Sequence, residues 1–77
     1  MTAYNGHRSW AAWNVALWIG NDEGLYRLAL ECLERAGKRP GLAARYFQED
    51  IGGEGAKTPD GALYSLTSIR EALSGLE

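Results

Sequence analysis

A chain of 77 residues, 45% hydrophobic and 23% charged, has room for one domain, residues 1–77, with one modest core. It holds enough apolar residues to fold, which excludes a disordered chain. Its longest near-apolar run, residues 10–19, is far shorter than the about 20 residues that span a bilayer. The net charge of −2 is divided, with +2 on residues 1–47 and −4 on residues 48–77, and the single cysteine, Cys32, excludes an intrachain disulfide and a cysteine-built zinc site.

The N-terminal third reads YNGHRSWAAWNVALWIGNDEGLY and puts Trp10, Trp13 and Trp18 within nine residues. Ser9 is a good N-cap for a first helix. Trp10, Trp13 and Leu17 recur at i, i+3 and i+7, the stripe expected to face the core. Val15, Trp18 and Ile19 make the other sides apolar as well, which suits a helix central to the packing or at an interface. Gly20 is expected to end it as a left-handed C-cap.

A second helix is expected to start at Asn21 or Asp22, where Asp22 and Glu23 complement the helix dipole. Leu25, Leu28, Ala29, Cys32, Leu33 and Ala36 make its apolar face. Arg27, Glu31, Glu34 and Arg35 make the wet one, with Glu31 and Arg35 spaced as an i, i+4 pair, and Gly37 ends it. Pro40 fits the first position of a third helix, over residues 40–51, that buries Ala43, Tyr46, Phe47 and Ile51. Residues 52–61 hold four glycines and a Pro59-Asp60-Gly61 turn signal, so they read as a loop. A fourth helix is expected over residues 68–76. Ser68 and Glu71 frame its capping box, and Ile69, Ala72, Leu73 and Leu76 form its stripe. The stretch 62–66 is suited to pair with residues 3–5 as a minor two-stranded ribbon. The fold class is therefore mainly α, a compact bundle of three to four short helices.

No catalytic constellation is visible. His7, the only histidine, has no sequence-visible acid or nucleophile partner. Cys32 lies on a buried stripe, where thiols are usually inert. Glu49 and Asp50 are adjacent, so on a helix they diverge by about 100°. No nucleotide-binding glycine motif and no metal-ligand spacing is present, so no cofactor or metal is expected. Gly52-Gly53-Glu54-Gly55 carries an acid, the wrong charge to cradle phosphate, and reads as an adaptable contact loop.

Two charged surfaces remain. Arg35, Lys38, Arg39 and Arg45 surround one turn, a cluster able to track a phosphate backbone, although a pI near 5.3 argues against direct nucleic-acid binding. Glu49, Asp50, Glu54 and Asp60 form the densest single-sign region and suit a basic partner.

Tyr4-Asn5-Gly6, the run from Trp13 to Ile19, the run from Asn21 to Tyr26, and Thr58-Pro59-Asp60-Gly61 together resemble a family of small phage and mobile-element proteins. The resemblance implies a context of phage or integrated elements, where such proteins include inhibitors of host defence, among them anti-CRISPR proteins. The expected function is then a non-enzymatic inhibitor in the bacterial cytoplasm. It would bind a host protein or ribonucleoprotein defence complex through Glu49, Asp50, Glu54 and Asp60 and block its nucleic-acid site by occlusion or charge mimicry. The alternative is a small nucleic-acid-binding accessory protein that uses Arg35, Lys38, Arg39 and Arg45.

Overall fold

Four helices form: α1 (Trp10–Asn21), α2 (Glu23–Arg35), α3 (Pro40–Asp50) and α4 (Leu66–Ser74). The structure, a computed structural model, describes residues 9–76. Each helix packs on its two neighbours in the cyclic order α1, α2, α3, α4, which makes a four-helix bundle. The expected ribbon partner at residues 3–5 lies outside the described residues. Within them, Leu63 forms one antiparallel bridge with Lys57, and Leu66 already opens α4.

The helix ends follow from side chains that replace missing backbone partners. Ser9 Oγ accepts from the Ala12 amide at 3.1 Å and starts α1. Gly20 is not its C-cap, because the helix runs through it to Asn21. Asp22 does both jobs at the junction. Its amide donates to the Trp18 carbonyl at 3.0 Å, closing α1, and its Oδ1 accepts from the Leu25 amide at 3.0 Å, opening α2. One residue in extended conformation thus separates two helices, and a left-handed glycine is not needed. At the far end of α2, the Gly37 amide donates to the Glu34 carbonyl and the Lys38 amide to the Leu33 carbonyl. This is the Schellman pattern, with Gly37 at φ 64°.

The fourth helix starts earlier than its sequence signal. Ser65, not Ser68, is the N-cap, accepting from the Ser68 amide at 3.1 Å, and Ser68 is buried inside the first turn. The Ser68–Glu71 capping box is therefore not formed.

The core is built on Val15, Ile19, Cys32, Phe47, Ile69 and Leu73, and the Phe47 ring meets Tyr64 at a centroid distance of 6.1 Å. Alanines 29, 36, 43, 44 and 72 line it and let the helices approach closely. The expected tryptophan stripe does not face this core. Ala12, Val15 and Ile19 also recur at i, i+3 and i+7, and they are the buried set. Trp10 and Leu17 stand 40% and 38% exposed, and Trp13 and Trp18 are half-buried. Two apolar stripes compete on α1, and the slimmer one fits where neighbouring helices come near through small side chains.

Candidate functional site

Residues 56–64 fold back on themselves beside α1. The Gly61 amide donates to the Thr58 carbonyl at 2.8 Å, closing the predicted Pro59-Asp60 turn, and Gly61 takes φ 95°. The Thr58 amide to the Ala62 carbonyl, 2.8 Å, and the Tyr64 amide to the Ala56 carbonyl, 2.9 Å, extend the hairpin. Gln48 Nε2 on α3 donates to the Tyr64 carbonyl at 3.0 Å and ties its return limb to the bundle.

The tip of this hairpin is clasped to α1. Asp60 Oδ2 accepts from Asn14 Nδ2 and from Trp18 Nε1, both at 2.9 Å. Thr58 Oγ1 donates to Asn14 Oδ1 at 2.6 Å and accepts from the Ala62 amide at 3.0 Å. Asn14 and Trp18 share a helix face because they are four residues apart. Asn14 and Thr58 are buried, and the network leaves neither with an unsatisfied polar atom. The two donors hold the Asp60 carboxyl below its ordinary range, Asn14 first and Trp18 second. The tryptophan-rich segment and the Thr-Pro-Asp-Gly turn, 46 residues apart at Asn14 and Asp60, are thus the two halves of one structural joint. Asp60 is expected on an acidic surface, and its bonds to Asn14 and Trp18 have no counterpart among the sequence expectations. The available signal was that Asn14 and Asp60 both lie within conspicuous motifs and that a buried helical asparagine needs a partner.

The charged residues are rearranged by the α2–α3 contact. Arg35 does not meet Glu31. Its Nη1 reaches Asp50 Oδ2 at 3.3 Å, and its guanidinium lies 4.6 Å from the Tyr46 ring centroid. The same Asp50 oxygen is 3.9 Å from Cys32 Sγ. Burial pushes the Cys32 thiol above its ordinary value, and the adjacent Asp50 charge adds to this. Arg45 joins Glu49 and Glu54 on the walls of a shallow groove of about 300 Å³, with Gln48, Gly53 and Leu66. The acidic set is therefore divided. Asp60 is exposed but holds the clasp, Asp50 is paired with Arg35, and Glu49 and Glu54 are exposed without an ion partner among the described residues. The basic set is divided too, with Lys38 and Arg39 exposed on the α2–α3 turn.

Among the described residues no group of three or more His, Cys, Asp or Glu side chains is placed to hold a metal, and no helix is long and apolar enough to cross a membrane. His7 lies outside the described residues. The fold and the clasp define a small four-helix domain with a hairpin pinned across its first helix. The chain belongs to a family of unknown function, DUF7249, which matches residues 1–73. No curated protein and no solved structure matches the chain.

Proposed function

We propose that the protein is a non-enzymatic inhibitor that acts in the bacterial cytoplasm by binding a host defence complex. It seats carboxylates on the basic residues with which such a complex grips nucleic acid. The observation that carries this reading is the pair Glu49 and Glu54, both exposed, without ion partners among the described residues, and bordering one groove beside Leu66. Carboxylates so placed accept the same Arg and Lys donors as phosphate oxygens do. The four-acid surface narrows to these two because Asp50 and Asp60 already hold partners within the fold. Arg45, on the same groove, repels cations placed near it and so sets the register of a basic partner.

The accessory-protein alternative requires direct nucleic-acid binding by Arg35, Lys38, Arg39 and Arg45, of which Arg35 is drawn to Asp50. Titration of fluorescent DNA and RNA duplexes and single strands against salt separates the two. The inhibitor reading expects no saturable binding at physiological salt. Binding whose log affinity falls linearly with log salt contradicts it.

A further inference from the structure

The outer face of α2 carries a charge pattern that is complementary to its own reverse. Glu23, Arg27, Leu30 and Glu34 fall within an arc of about 60° on that helix, and all four are exposed. Lys38 follows one turn later. It is the non-glycine residue at positive φ among the described residues, at 65°. This conformation carries it off the helix path to the rim of a groove of about 530 Å³ shared with Leu30, Leu33, Glu34 and Leu76. In chain order the face runs acid, base, leucine, acid, base.

We infer that this face is a self-association surface whose occupant is α2 of a second copy of the chain, packed antiparallel about a two-fold axis near Leu30. An isologous contact places each residue opposite its complement. With the axis near Leu30, Glu23 faces Lys38 of the second copy and Arg27 faces Glu34, each pair twice. Leu30, 40% exposed, meets its own symmetry mate and enters the groove walled by Leu33 and Leu76, with Tyr26, 39% exposed, beside it. The parallel arrangement sets acid against acid and base against base, so the charge order selects the antiparallel one. Opposed helix dipoles favour it as well. Glu34 and Lys38 have no ion partner among the described residues, and the Arg27–Glu23 pair, 2.7 Å long, is 75% and 77% exposed and easily shared. A single helix pair is a small contact beside the about 800 Å² per partner of a standard interface, so the dimer is expected to be weak and concentration-dependent.

The test is sedimentation equilibrium of the full chain over about 10 μM to 1 mM, with the Glu34→Arg variant and the double variant Arg27→Glu with Glu34→Arg. The parent should move from 8.4 kDa towards twice that mass. Glu34→Arg sets like charges against each other and should weaken the dimer at least about tenfold. The double variant should recover most of that loss, because the opposed pair is re-formed with its signs exchanged. All substituted positions are exposed, and far-UV circular dichroism checks that each variant is folded. A parent that stays at 8.4 kDa throughout overturns the inference. So does a dimer indifferent to Glu34→Arg, or one that the double variant fails to restore. None of these outcomes bears on Glu49 and Glu54, so this inference stands or falls apart from the proposed inhibition.

Discussion

At the scale of single residues, the structure turns on Asn14. Its amide accepts from Thr58 and donates to Asp60, so one buried side chain fixes the hairpin to α1. Asn14→Ala strands the Thr58 hydroxyl in a buried site and should cost about 1–3 kcal/mol. A lowered denaturation midpoint with an unchanged m-value, together with a shifted Trp18 emission, checks this. Asp60 makes the clasp pH-dependent. Its folded pKa is depressed relative to the unfolded chain, so its stabilising effect is present above the ordinary carboxylate range and is lost as pH falls through the folded value. The melting temperature of the parent should therefore drop on acidification below about pH 4, and the drop should be smaller in Asp60→Asn. Cys32 should react slowly with a thiol reagent in the native state and fast in denaturant, since it is fully buried and its pKa is raised. Rapid native labelling contradicts that burial.

At the scale of elements, the costs fall where the slim stripe packs. Phe47→Ala should cost about 3–5 kcal/mol and leave little cooperative folding. Trp10→Ala, on the outer side of α1, should cost less than about 1 kcal/mol. Chemical denaturation of the two variants distinguishes this arrangement from a tryptophan-centred core. Gly37→Ala isolates a backbone effect, because an added Cβ meets nothing within 4 Å while φ stays at 64°. It should lose about 1–2 kcal/mol through left-handed strain alone. The bounds of α2 and α3 were legible in sequence because Asp22, Gly37 and Pro40 each perform a chemically distinctive task. The face of α1 was not, because Trp10-Trp13-Leu17 and Ala12-Val15-Ile19 share one period and only the neighbouring helices choose between them. The start of α4 was misread because Ser65 and Ser68 are both plausible caps three residues apart. The clasp was hidden for another reason. Each motif is locally complete as a helix or a turn, and the need of a buried Asn14 for a partner does not say which residue supplies it.

At the scale of the whole molecule, folding redistributes charge that the linear sequence keeps apart. The basic and acidic segments meet in two places: Arg35 joins Asp50 across the α2–α3 contact, and Arg45 shares a groove with Glu49 and Glu54 beside the start of α4. What remains for a partner is smaller than either sequence cluster. The clasp pins the hairpin tip, and the groove lies between the C-terminal half of α3 and the start of α4. The most direct measurement of the proposed function compares two charge-removal variants in one capture assay. Immobilised parent protein is exposed to nuclease-treated bacterial lysate, and bound protein is challenged with duplex DNA. Glu49→Gln with Glu54→Gln should lose the capture of a nucleic-acid-binding protein that DNA releases from the parent. Lys38→Gln with Arg39→Gln should retain it, and the parent's advantage should shrink at high salt. Capture that survives in the Glu49/Glu54 variant, or that DNA does not compete, contradicts the account.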